Sequence, residues 1–533
     1  MHVSSISFRE TGYFSDIICD YLEEKETLKP FYGQFPRLED FKAQIEAKKT
    51  TFPQENRVRL SQVLQTQYQH IITSALTLQH IEKLKESTTF TVTTGHQLNI
   101  FTGPLYFFYK IVSTINLSKQ LKDTYPEYHF VPVYWMATED HDFEEINYFK
   151  YNGEKLKWNR QASGAVGRLS TEGMDEVFKI FETALGIGKH SNDLKKHFKE
   201  AYLKHHNLAD ATRYLVNALF GAYGLVIIDA DAHELKQQFI PYIQDELQNE
   251  TSFKAVNATI TKLKDISANY KIQVQPRACN LFYLEDGIRE RIIREQETYY
   301  VNDTDIAFTA EEIQTTVKKY PERFSPNVIT RPLYQEVILP NLCYIGGGGE
   351  LAYWLELKTY FKAVQVPFPI LMLRNSALII PEKTAEKLKK SHISSQELFL
   401  SEQELIHRKI KEISTIPIDF TPQKEQLQHQ FKALYELAKH TDKSFLGAVK
   451  AQEKKQLNGL GHLEKRLLKA QKRKEAAYVD IIKQLHQSLF PGKGLQERAV
   501  NFSTCYMEYG TQFLKVLMKE LDPFKQHFLI ITP

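Results

Sequence analysis

Residues 89–136 read TFTVTTGHQLNIFTGPLYFFYKIVSTINLSKQLKDTYPEYHFVPVYWM. Thr89 to Thr94 is a run of β-branched and aromatic residues that stops at Gly95, the pattern of a strand delivered to a turn. Thr102-Gly103-Pro104 then opens a helix, because proline at the first helical position lacks only an N–H that has no intrahelical partner. Leu105, Phe108, Ile111, Val112, Ile115 and Leu121 fall on one side of that helix. Phe130 to Met136 is apolar almost throughout, as expected of a strand covered on both faces of a parallel sheet. Strand, helix, strand is a βαβ unit, so the fold class is α/β with a Rossmann-like parallel-sheet core.

The same grammar recurs further along. A helix is expected over 211–223 and a buried strand over Leu225–Ile228, ending in Asp229-Ala230-Asp231. Another strand, Phe368 to Leu373, ends at Arg374. The core therefore spans 1–384, with insertions near 150–210 and 235–325. Residues 385–490 are polar and helical. There Leu460, Leu463, Leu467, Ala470, Ala477, Ile481 and Leu485 keep the three-and-four spacing of a coiled coil. One straight helix from Pro422 to Pro491 would reach about 100 Å at 1.5 Å per residue. Gly447, Gly459 and Gly461 are the expected places for a break. The seam fits a hairpin on its own chain or an arm that pairs with a second copy, and its length favours a homodimer. Residues 491–533 turn apolar again and are expected to pack back on the core.

Composition sets outer limits. Of 533 residues, 42% are apolar and 25% charged, which excludes a disordered or fibrous chain. A net charge of +3 argues against a nucleic-acid coat. No run of about 18 apolar residues suggests a membrane span. The opening MHVSSISFRETGYF has no signal-peptide pattern. Cys19, Cys279, Cys343 and Cys505 lie far apart with no CxxC pair, so a cytoplasmic location is expected.

Three blocks carry chemistry. In the first, Gly95, His96 and Gln97 lie where ligands bind in open α/β sheets, beyond a strand's carboxyl end. The following helix N-terminus offers N–H groups to an anion. His96 is a candidate to pair with phosphate or to shuttle a proton near neutral pH. In the second, 137–147, the residues Glu139, Asp140, His141, Asp142, Glu144 and Glu145 crowd one strand end. They suit an ammonium group, Mg²⁺, or general-base work by a carboxylate of raised pKa. With one His and no Cys, this block is not expected to hold a transition metal. In the third, Gly346, Gly347, Gly348 and Gly349 suit either a nucleotide cradle or a tight strand–helix turn. Asn327, Arg331 and Gln335 are polar groups in an apolar segment, and Arg331 suits a bidentate clamp on carboxylate or phosphate. Arg374 and Ser376 follow the last strand and suit an anion as well. Cys343 reads as a buried, inert thiol.

TGHQLNIFTGPLYFFYK (94–110), VPVYWMATEDHDFEEIN (131–147) and SPNVITRP with GGGGELAYW (325–354) resemble the bacillithiol biosynthesis cysteine-adding enzyme family in content, order and spacing. His96 stands where that family more often has Gln, and Gly348 where it more often has Pro. The resemblance implies a core related to class I aminoacyl-tRNA synthetases, with connecting insertions and a dimerising C-terminal coiled coil. It implies a carbon–nitrogen ligase that joins cysteine through its carboxyl to the amine of glucosaminyl-malate, the last step of bacillithiol synthesis. ATP is the implied activator, with Mg²⁺ its candidate companion. Asp140, His141, Asp142 and His96 are then the candidate catalytic groups. Gln97, Thr102, Gly103, Tyr106, Lys110, Glu139, Glu145, Asn147, Asn327, Arg331, Gln335, Glu350, Tyr353, Arg374 and Ser376 are candidate substrate contacts, and Gly95 with Gly346 to Gly349 candidate cofactor contacts. No HxGH or KMSKS string occurs, so tRNA charging is not expected. Two other classes compete: a non-catalytic nucleotide-binding scaffold of the same pathway, and a metal-dependent hydrolase.

Overall fold

The computed structural model describes residues 2–532. The chain forms two compact units, one of Ser5–Leu378 with Leu495–Ile531, the other of Ile379–Gly494 with residues 2–4 and 532.

The larger unit is built on five parallel strands: β1 (Thr89–His96), β2 (His129–Met136), β3 (Val226–Asp229), β4 (Asn341–Gly346) and β5 (Ile370–Leu373), in the spatial order β5-β4-β1-β2-β3. Helix α1 (Tyr106–Thr124) links β1 to β2. Helix α2 (Leu208–Phe220) leads into β3, α3 (Arg331–Ile338) into β4, and α4 (Gly348–Leu355) follows β4. The expected Rossmann-like sheet is therefore present. Its direction of winding reverses between β1 and β4, and the crevice beyond their carboxyl ends is where such sheets bind ligands.

Every residue of β4 is buried, and every residue of β1 except Gly95. Phe90 and Val92 of β1 pack with Leu342 and Ile345 of β4, Ile370 and Met372 of β5, and Leu117 and Leu121 of α1. Each such side chain contributes about 1.5–3 kcal/mol on full burial. The threonines of β1 can be buried because their hydroxyls are satisfied: Thr91 and Thr93 donate to Asn341 Oδ1 at 3.2 and 2.8 Å, and Thr94 donates to Ile345 O at 2.7 Å.

The 235–325 region contributes a five-stranded antiparallel sheet in the order Ala307–Thr309, Thr298–Val301, Ile288–Glu295, Leu281–Glu285 and Phe324–Pro326. The 150–210 region holds the hairpin Tyr148–Tyr151/Glu154–Lys157 and two helices, Met174–Leu185 and Lys189–Tyr202.

In the smaller unit, α5 (Thr421–Ala438) and α6 (Lys443–Lys474) form a helical hairpin, followed by α7 (Ala476–Leu489). Phe431, Ala438 and Val449 make its core, and Lys424 pairs with Glu464 at 2.5 Å across it. The polar run is thus not one rod: α6 is about 48 Å long at 1.5 Å per residue. Nor does it break at a glycine. Gly447, Gly459 and Gly461 lie inside unbroken helix, and the interruptions fall at the 439–442 turn of the hairpin and at Glu475 (φ −98°, ψ 31°). Packing against α5 outweighs the helix cost of glycine, about 1 kcal/mol each. Leu463 of the seam is half exposed.

Candidate functional site

A cavity of about 450 Å³ opens at the sheet's switch point. Gly95, His96 and Gln97 reach it from the end of β1, and Tyr106 and Lys110 from α1. Asp140 follows β2, while Arg331 and Gln335 come from α3. Gly347, Gly349, Glu350 and Tyr353 border it after β4, and Arg374 after β5. Blocks more than two hundred residues apart thus share one cleft.

Lys110 is the hub of the β1–β4 side. It is 2% exposed, donates to Gly95 O at 2.7 Å and pairs with Glu350 at 2.5 Å. Burial pushes its pKa down. Glu350 also accepts from Tyr344 Oη at 2.7 Å and from Gly347 N at 2.8 Å. Burial alone would raise its carboxyl, but Lys110 and these donors bring it down to about 2. The glycine run is a strand–helix turn, none of it in the left-handed region. A Cβ on Gly346 would lie 2.7 Å from Leu351 Cδ1, so close packing requires that glycine. Gly348 packs toward Phe14 and Ile18 instead of bordering the cavity.

Arg374 is held rigidly. Its Nη2 donates to Glu497 at 2.6 Å, and its Nη1 to Asn375 O and Ser376 Oγ, both at 2.9 Å. Among the described residues its buried Nε has no partner. The guanidinium lies 5.0 Å from the centre of the Tyr106 ring, and that of Arg498 lies 5.8 Å from it. Ser376 is therefore bonded to Arg374 and does not itself line the cavity. Burial lowers the Arg331 guanidinium, but Tyr353 and Asp140 nearby more than reverse this and hold it charged. Among the described residues neither Arg331 nor Arg498 forms an ion pair.

Burial would raise the Asp140 carboxyl. The His141 imidazole, the Arg331 charge and Gln97 Nε2 at 3.1 Å hold it well below the usual carboxylate range, and the His141 backbone N–H also donates to it at 2.8 Å. It is therefore ionised at neutral pH and is not the carboxylate of raised pKa that general-base work in this block would need. His96 is corrected too. Burial, with Lys110 close by, drops its imidazole to about 3, so it is neutral near pH 7 and cannot pair with phosphate as a cation.

Other expected residues are drawn elsewhere. His141 and Asp142 are exposed and border a separate open depression, with Arg289 Nη1 2.6 Å from His141 Nδ1. Glu139 is ion-paired with the buried Lys236. Asn147 is fully buried, and Asn327 closes a turn by accepting from Ile329 N and Thr330 N. The helix after β1 begins at Tyr106, not at Pro104. Its approach is covered: Leu105 N donates to Val500 O, and Asn501 Nδ2 donates to Phe101 O and Gly103 O. Thr102 is buried in this loop, so the expected anion site at that helix end is closed. Gly103 instead borders an annex of about 290 Å³ that shares Gln97, Tyr106 and Arg498 with the main cavity and also includes Glu145.

The sequence reading missed Gln273 and Val274, which an insertion brings to the cavity, as well as Arg498 and Glu497 from the C-terminal segment. No local pattern marks them. Among the described residues no group of three His, Cys, Asp or Glu side chains is placed to hold a metal ion.

The description "Bacillithiol biosynthesis BshC, N-terminal Rossmann-like domain" matches residues 1–375, and its C-terminal coiled-coil counterpart matches 377–533. The chain belongs to the BshC family of bacillithiol biosynthesis. A Flavobacterium johnsoniae member is 55% identical over 532 residues, covering 100% of both chains. A Christiangramia forsetii member is 56% identical over 536 residues, covering 100% of this chain and 99% of that one. A Cytophaga hutchinsonii member is 37% identical, covering 98% and 97%. All three bear the name "Putative cysteine ligase BshC". No helix among the described residues is long and apolar enough to cross a membrane.

Proposed function

We propose that this BshC protein is an ATP-dependent ligase that joins the cysteine carboxyl to the amine of glucosaminyl-malate, forming bacillithiol. The observation that carries the reading is the set of three guanidinium groups lining one cavity. Among the described residues Arg331, which bonds Tyr353, and Arg498 have no ion-pair partner, and the buried Nε of Arg374 has no hydrogen-bond partner. A malyl group presents two carboxylates, and arginine forks suit carboxylates geometrically. The ionised Asp140 beside Gln97 supplies the complementary charge for an ammonium group.

The same cations suit the phosphates of ATP, which would supply carboxyl activation. Mg²⁺ needs only one or two protein carboxylates beside substrate phosphates, and Asp140 and Glu350 both border the cavity. The chain's own contribution is to fix the two reactants in one geometry and to stabilise developing charge with groups already in place. The exposed seam of α6 supports pairing of two copies through the coiled-coil unit, which light scattering of the purified chain would test.

Purified protein mixed with cysteine, glucosaminyl-malate and ATP is expected to yield bacillithiol by mass spectrometry. Arg331→Gln should raise KM for glucosaminyl-malate at least tenfold, a rough value for one charge-assisted bidentate contact. ATP binding without product would instead support a scaffold role.

A further inference from the structure

We propose that the annex beside the main cavity is a sugar subsite, taking the polyhydroxylated ring of the amine substrate while the cavity takes its acidic part. The proposal rests on the ligase reading above and deepens it.

The two spaces share one wall, made by Gln97, Tyr106 and Arg498, so one molecule can occupy both. Their chemistry differs. The cavity offers guanidinium donors to an anion. The annex offers acceptors, one without a donor and one with lone pairs to spare. Asn99 is 9% exposed, and its Nδ2 is spent on Glu145 O at 3.0 Å, which fixes the amide's orientation. Among the described residues its buried Oδ1 has no donor. A buried acceptor is costly to leave unpaired, and a ligand hydroxyl would satisfy it. The exposed Glu145 carboxylate accepts from Gln97 Nε2 at 2.7 Å and keeps lone pairs for a hydroxyl or an ammonium group. Lys150 is the annex's own cation and is exposed. Tyr148 adds an aromatic wall, with the Lys155 ammonium 3.7 Å from its ring centre. At about 290 Å³ the annex is below the range of about 300–1,000 Å³ usual for drug-sized ligands, which suits a single ring better than a nucleotide.

This division also gives Gln97 a role. Its Nε2 bridges Glu145 and Asp140, one carboxylate in each space. A ring seated in the annex with its amine toward Gln97 meets carboxylates on both sides of the shared wall.

The test is calorimetric binding of two probes, L-malate and glucosaminyl-malate, to the full chain. Asn99→Leu and, as a surface change that spares folding, Glu145→Gln are each expected to weaken glucosaminyl-malate about three- to tenfold, as loss of one hydrogen bond does. Malate affinity should stay within about twofold, whereas Arg331→Gln should weaken both probes. Unchanged glucosaminyl-malate affinity in both annex variants, or equal losses for the two probes, overturns the sugar subsite and leaves the ligase reading standing. Failure of the unsubstituted protein to bind glucosaminyl-malate overturns both.

Discussion

Glu350→Gln isolates the ion pair at the centre of the cavity. In the folded chain the Glu350 carboxyl is held at about 2, against 4.5 for an unperturbed glutamate. At 1.36 kcal/mol per pH unit, that difference contributes about 3 kcal/mol near pH 7. The figure agrees with the about 3–5 kcal/mol lost when one partner of a buried pair is removed. It falls at the lower end because the Glu350 side chain is 28% exposed, while the Lys110 side chain is 3% exposed. The sign follows from the depressed carboxyl: the contribution is complete above about pH 4.5 and disappears as pH falls toward 2. All three tryptophans, Trp135, Trp158 and Trp354, belong to the sheet unit, so their fluorescence follows its unfolding alone. Urea titrations should show the variant less stable than the parent by about 3 kcal/mol at pH 7, shrinking to roughly 1.5 kcal/mol at pH 3. A deficit below about 0.5 kcal/mol at pH 7, or one that does not change with pH, would refute the reasoning.

Other substitutions test separate parts. His96→Gln should leave the rate within about threefold, and the pH–rate profile should lose no limb between pH 5 and 8, because the buried imidazole is already neutral there. Asp140→Asn should cut the rate about a hundredfold, whereas Asp142→Asn, exposed outside the cavity, should stay within about twofold by the same product assay. Gly348→Pro should stabilise the sheet unit by about 0.4–1 kcal/mol in urea. Gly348 is the first residue of α4, and the preceding Gly347 already has φ −76° and ψ 169°, as a residue before proline requires.

The βαβ unit was legible in the sequence because its signals are local. Thr89–His96 and His129–Met136 are written as continuous buried strands, and the period between them is helical. β4 was harder to read. Asn341–Gly346 is short, and its neighbours β1 and β5 are set by pairing with residues far away in the chain. The helix start was misplaced by two residues, since Pro104 fits a first helical turn by itself. What moved the start was tertiary: Asn501 Nδ2 takes Gly103 O, the carbonyl that would accept the first bond of a helix beginning at Pro104.

The candidate site divides in the same way. Glycines, a carboxylate block and arginines at strand ends could be named from the chain alone, because strand ends and residue types are one-dimensional facts. Their roles could not. His96 and Asp140 have ordinary side chains whose protonation is set by burial and by Lys110 and Arg331, which lie up to 191 positions away. Glu139 and Asp140 are adjacent in sequence yet face different partners, Lys236 and Gln97. Sequence alone thus determined the βαβ unit, the strands ending at Asp229 and Arg374, and the family. Tertiary structure decided which charges face the cavity and which are neutralised behind it, because electrostatic energy depends on distance and burial in three dimensions.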